Sequence, residues 1–264
     1  IDETARAGIS AHIQNARAEG RLLHEIKTPN SGTFVAPTLI RVNGIGDLER
    51  EIFGPVLHVA TFKADELDRV IDAINATGYG LTFGLMTRID DRVQHVSDRV
   101  QAGNIYVNRN QIGAIVGSQP FGGTGLSGTG PKAGGPLYVS RFRRAAETAP
   151  PTTLSGIEPT LDAQNVATHL ASLRFEDLLA PAIDLPGPTG EMNRYATRPR
   201  GRILCLGPGP EAALAQARQA RAAGCAALAI APGLTAKEGL DGVIDLACLK
   251  VLAPLEAVAF RGSG

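Results

Sequence analysis

The sequence predicts an α/β protein with parallel β-structure flanked by helices, and three observations carry that reading. Between residues 56 and 107, strand-like runs alternate with helical periodicity: strand 56–62, helix 65–76, strand 81–87, a helix with Val93, Val96 and Val100, and strand 104–107. Strands joined through helices by short links favour parallel pairing, because the crossover returns the chain to the same end of the sheet. The same grammar reappears after Arg202, with strand 203–206, helix 211–223 and strand 226–230. Between the two lies a stretch rich in Pro, Thr and Ser, with one helix near 163–179 and a turn-dense LPGPTGE at 185–191. The chain is therefore divided into 1–147, an excursion over 148–200, and a second α/β unit over 201–264.

The remaining elements follow in order. Over 2–20, Ala5, Ile9, Ile13 and Ala16 recur at helical spacing, with Asp2 placed as N-cap and Gly20 as the stop. The stretch 33–42 (TFVAPTLIRV) is β-rich, and Pro37 marks it as an irregular or edge strand. Asp90 is placed to cap the helix that carries Val93.

At 44% hydrophobic the chain can bury a core, and its 26 acidic and 26 basic residues balance. That balance argues against nucleic acid or an anionic membrane as partner. The longest apolar runs, such as 226–231, fall short of the ~20 residues a membrane span needs. The three cysteines, Cys205, Cys225 and Cys248, lack ligand spacing and sit among apolar neighbours, which reads as reduced core thiols in a cytoplasmic protein. The five histidines are scattered without metal-ligand spacing, so no metal site is expected. The chain opens at Ile1 inside a helix and stops as an apolar segment begins, which is expected of an excerpt from a longer polypeptide.

Chemistry concentrates in the glycine-rich stretch 104–130 (NIYVNRNQIGAIVGSQPFGGTGLSGTG). Flexible linkers are also rich in glycine, but they lack Ile112, Ile115, Val116, Pro120 and Phe121, so this is read as a shaped loop. Its Gly123–Gly128 run matches the dinucleotide fingerprint G-x-G-x-x-G, yet no strand stands directly before it and no helix can follow. The loop Gly207–Ala212 (GPGPEA) has the better context, between a strand and a helix. It lacks the acidic residue expected ~20 positions on, and Pro210 removes a backbone donor, so it reads as a Rossmann-like loop that has lost its ligand. Glu51-Ile-Phe-Gly-Pro55 sets a carboxylate and a ring where a loop meets a strand; alone it reads equally as a surface glutamate beside a core phenylalanine.

Taken in order, EIFGPV at 51–56, NATGYGLT at 75–82, GNIYVN at 103–108, QPFGG at 119–123 and GLSG at 125–128 resemble the C-terminal half of the NAD-dependent aldehyde dehydrogenase superfamily. The stretch 108–121 is similar to its glutamate semialdehyde (Δ1-pyrroline-5-carboxylate) dehydrogenase branch. LPGPTGE and the strand ILCLG at 203–207 resemble the bifunctional bacterial proline-utilization flavoenzymes. The resemblance implies part of an aldehyde dehydrogenase catalytic domain over 1–147, followed by a truncated, non-catalytic, Rossmann-like C-terminal domain. It implies NAD-dependent oxidation of L-glutamate γ-semialdehyde to glutamate in proline catabolism, with FAD in a proline dehydrogenase domain elsewhere in the parent protein. By resemblance Glu51 would hold the nicotinamide ribose and Phe53 would lie beside the nicotinamide. Gly113 and Ala114 would offer amides to the substrate α-carboxylate, and Phe121 would pack on its stem. The family's nucleophilic cysteine lies upstream of this chain, so no catalytic residue is assigned here and the chain alone is expected to be inactive. Its partner would be the N-terminal remainder of the same polypeptide, with a homo-oligomer also compatible. Two rival readings are a stand-alone glutamate semialdehyde dehydrogenase and a non-catalytic lid or assembly module.

Overall fold

The computed structural model describes residues 1–29, 31–128, 130–143, 159–175 and 182–260. The chain divides into two compact units, Ile1–Ser140 and Arg141–Gly264.

In the first unit, α1 (Glu3–Ala18) begins where Asp2 accepts a hydrogen bond from the Ala5 amide at 2.7 Å, and Gly20 ends it at φ 70°. Its Ile9, Ile13 and Ala16 bury against Ile40 and Val42, as the periodicity requires. Strands β1 (Leu22–Glu25), β2 (Thr38–Arg41) and β3 (Val56–Val59) form one sheet, β1 antiparallel to β2 and β2 parallel to β3. The sequence had shown no strand at 22–25, and the one read over 33–42 is confined to the residues after Pro37. Next come α2 (Leu67–Ala76), β4 (Tyr79–Gly80), β5 (Thr82–Leu85), α3 (Asp90–Arg99), β6 (Asn104–Val107) and β7 (Thr124–Gly125). As expected, β5 and β6 are parallel across the α3 crossover. Asp90 is not the cap of α3 but its first helical residue. Ile89 precedes it in extended backbone, and the carboxylates of Asp90 and Asp91 face the positive helix end instead. The short antiparallel pair β4 and β7 was not anticipated at all.

The second unit is built on β10 (Arg202–Cys205), with β11 (Ala226–Ala229) and β12 (Ala257–Ala259) parallel on either side. Helix α5 (Gly209–Ala222) supplies Ala213 and Ala217 to the layer containing Cys205, Ala227 and Ala229. On the other side, α4 (Ala163–Ser172) brings Val166 and Leu170 against Leu204, Leu206, Leu228 and Ile230. Part of the supposed excursion is therefore core: this helix buries two wholly enclosed side chains. It ends at Ser172, short of the limit read from sequence; 176–179 lie outside the described residues. The turn LPGPTGE closes a hairpin of β8 (Ile183–Leu185) and β9 (Asn193–Tyr195). Among the described residues no helix is long and apolar enough to cross a membrane.

Candidate functional site

The loop after β6 is held at both ends and open in the middle. At its start Asn108 turns the chain at φ 56°, a conformation asparagine tolerates, and its side-chain oxygen accepts from the Thr87 amide at 3.0 Å. Toward its end the amides of Ser118 and Gln119 donate to the Ile115 carbonyl at 3.2 and 2.9 Å. The buried Gln119 side chain accepts from the Ile115 amide at 3.1 Å, which fixes the turn from inside. Between these anchors lie Gly113, exposed, and Ala114, half-buried. Among the described residues neither of their amides donates a hydrogen bond, so two adjacent N–H groups are available to an acceptor.

Phe121 is fixed more firmly. Its backbone exchanges both hydrogen bonds with Ala133, at 3.0 and 2.8 Å. Buried Asn104 grips the chain on either side of the ring, donating to the Pro120 carbonyl at 2.9 Å and accepting from the Gly122 amide at 3.2 Å. Lys132 reaches under this clamp to the carbonyls of Gly103 and Gly122 and to the Asn104 side chain. Neither Asn104 nor Lys132 was singled out from sequence. Asn104 sits at the mouth of a strand and Lys132 among glycines, and only the fold brings them together.

The glycines explain the closeness. A Cβ on Gly103 would strike the Gly122 carbonyl, and one on Gly125 the Gly78 carbonyl. The Gly123–Gly128 run is thus a turn entered through β7 and pressed onto β4, with the Leu126 amide donating to Gly78 at 2.9 Å. The amides of Leu126, Ser127 and Gly128 are turned onto the carbonyls of Gly78, Thr124 and Gly125, so these three are not offered to a phosphate.

Glu51 and Phe53 occupy the loop leading into β3, on a different sheet from the 108–121 loop. The loop lies close against α1, since a Cβ on Gly54 would meet the Ile9 side chain. Glu51 is exposed and Phe53 is 85% exposed, an unusual position for so large an apolar ring. Among the described residues no hydrogen bond or ion pair joins this pair to the 113–121 segment.

In the second unit the GPGPEA loop is filled by protein. Gln216 of α5 accepts from the Gly207 amide at 3.0 Å and donates to its carbonyl at 2.9 Å, occupying one of the donors a phosphate would use. Cys205 is enclosed, and burial pushes its thiol up to about 11, the opposite of what a nucleophile requires. His12 and His58 face each other at 2.8 Å, but among the described residues no group of three or more ligating side chains could hold a metal ion.

An α/β unit with a braced, glycine-rich loop after its last parallel strand belongs to a known class. Residues 1–146 match the model of the aldehyde dehydrogenase family, and the chain belongs to that family. Among its relatives are the bifunctional protein PutA of Rhizobium meliloti, 46% identical over 81% of this chain, and that of Salmonella typhimurium, 44% identical over 86%. A 1-pyrroline-5-carboxylate dehydrogenase of Halalkalibacterium halodurans is 40% identical over 55% of this chain and 28% of its own length. The solved structure of a variant of proline utilization A from Bradyrhizobium japonicum aligns with 54% of this chain and 14% of its own, at 54% identity and a TM-score of 0.52. The chain spans 18% and 20% of the length of the two PutA relatives.

Proposed function

We propose that this chain forms part of an NAD-dependent L-glutamate γ-semialdehyde dehydrogenase within a bifunctional proline-catabolising enzyme. The observation that carries the reading is the pair of unengaged amides at Gly113 and Ala114, held between the Asn108 and Gln119 anchors on the loop that leads to the braced Phe121. Two backbone donors suit a substrate carboxylate, and an aromatic wall suits the methylene stem between carboxylate and aldehyde. Glu51 would accept from the nicotinamide ribose hydroxyls and the exposed Phe53 ring would lie beside the nicotinamide of NAD. Both residues are on a loop fixed by its contact with α1.

The reaction itself requires a thiolate, which none of Cys205, Cys225 or Cys248 is placed to supply. The nucleophile, the main dinucleotide-binding segment and the FAD-dependent proline dehydrogenase are assigned to the rest of the parent polypeptide. The second unit, with its loop filled by Gln216, is assigned no chemistry. The test is NADH formation from L-glutamate γ-semialdehyde by this chain alone and by the complete polypeptide. The complete polypeptide should turn over and the isolated chain should not. Turnover by the isolated chain, or none by the complete one, would sink the reading.

A further inference from the structure

Lys132 has no part in the roles assigned so far, yet its surroundings are unusual for a lysine. It is half-buried, and among the described residues no carboxylate pairs with it. Its ammonium instead meets three oxygen acceptors: the Gly103 carbonyl, the Asn104 side-chain oxygen at 2.9 Å and the Gly122 carbonyl at 3.2 Å. An ammonium carries three N–H donors and no acceptor, so the protonated form satisfies this cluster with nothing left over. A neutral amine would turn a lone pair toward one of the oxygens and leave that acceptor without its donor.

Those acceptors surround Phe121. Asn104 holds the residues before and after it, Gly122 follows it, and Ala133, next to Lys132, pairs with its backbone. We infer that Lys132 is a positioning residue for the aldehyde site: acting through Asn104 and Gly122, its ammonium fixes the wall formed by Phe121, and substrate affinity depends on its third proton. The groups facing it from β6 and from the 119–123 loop are carbonyls and a side-chain amide, none of which titrates in the working range. Burial alone lowers Lys132 to about 8, so the proton is lost within an accessible range.

The inference rests on the aldehyde-site reading, and the test separates the two. In the complete enzyme, glutarate serves as probe, because both its carboxylates stay ionised throughout. Its dissociation constant is measured at about pH 7 and about pH 9.5 for the wild type and Lys132→Met. The wild type should bind about tenfold more weakly at the higher pH, and Lys132→Met should bind weakly at both, with its pH dependence flattened. The variant's KM for the aldehyde should rise about tenfold while kcat and the KM for NAD stay within about threefold. Wild-type affinity with wild-type pH dependence in Lys132→Met would overturn the inference. Should the variant fail to fold, hydrogen exchange at the Gly122 amide of the wild type decides. Protection, corrected for intrinsic rates, should fall between the two pH values, and unchanged protection would overturn the inference. Absence of aldehyde oxidation by the wild-type enzyme would instead sink the functional reading, while the exchange measurement would still report on the brace.

Discussion

In the run Gly123–Gly128 the glycines stand where backbones meet: a Cβ on Gly123 would strike Ser127, one on Gly125 the Gly78 carbonyl and one on Gly128 the Gly123 carbonyl, and nearby Gly103 leaves no room beside the Gly122 carbonyl. In the loop beginning at Gly207 the two glycines differ. Both sit at positive φ, 88° and 73°, but a Cβ on Gly207 would strike the Gly209 backbone while one on Gly209 would meet open space, so Gly209 serves conformation alone. Both runs look like nucleotide fingerprints in sequence. In one, the amides of Leu126, Ser127 and Gly128 are taken up by backbone carbonyls where the run packs on β4; in the other, the side chain of Gln216 holds the Gly207 amide. The contrast teaches that a glycine motif takes its meaning from whatever lies within a few ångströms of it.

Substitution should break the two loops unequally. Gly103→Ala forces a Cβ into the Gly122 carbonyl and should cost about 3 kcal/mol or more. Gly209→Ala meets only backbone strain and should cost about 1 kcal/mol. Thermal unfolding of the two variants checks this, and equal losses would erase the distinction.

Next in size, Gln216→Leu strips the Gly207 amide and carbonyl of their partner and should destabilise the second unit by about 2 kcal/mol. NAD binding should not appear with it, since Pro208 and Pro210 remain without N–H donors. Calorimetry of the variant with NAD is the check, and binding at the second unit would show that the filled loop had only been masked.

How much of this was legible varied for physical reasons. Helix α1 was read correctly with its cap, because Asp2 and the Ile9, Ile13, Ala16 spacing are local signals. The parallel β5 and β6 were also read, since their partners lie one crossover apart. The β4 and β7 pair was invisible: two-residue strands carry no periodicity, and Tyr79-Gly80 meets Thr124-Gly125 only through the fold. Helix α4 was read as part of an excursion because its Pro- and Thr-rich flanks outweighed the two positions it buries, Val166 and Leu170. Of the site, the sequence suggested Glu51, Phe53, Gly113, Ala114 and Phe121 by resemblance. Asn104 and Lys132 act through backbone carbonyls, for which no residue pattern exists.

A smaller effect distinguishes the first unit from the second in acid. His12 and His58 share a hydrogen bond, and burial holds both below the usual 6.5; Arg21 and then Arg50 add to this at His12, where Glu19 opposes it, and His12 and then Arg21 add to it at His58. Their folded values lie below the unfolded one, so the unfolded chain takes up protons first as pH falls. Stability from this pair is therefore present above about pH 6.5 and is lost as pH drops toward the folded values. The melting temperature of the first unit should decline below that point, and His58→Ala should flatten the decline. An identical slope in the variant would remove the pair from the account.

The central claim is that the 113–121 segment anchors a small carboxylate-bearing aldehyde. Ala114→Leu in the complete enzyme tests it most directly, because the larger side chain would crowd the amides of Gly113 and Ala114 while leaving Glu51 and Phe53 untouched. Steady-state kinetics should show KM for L-glutamate γ-semialdehyde raised by about tenfold or more with KM for NAD unchanged. An unchanged aldehyde KM would contradict the account.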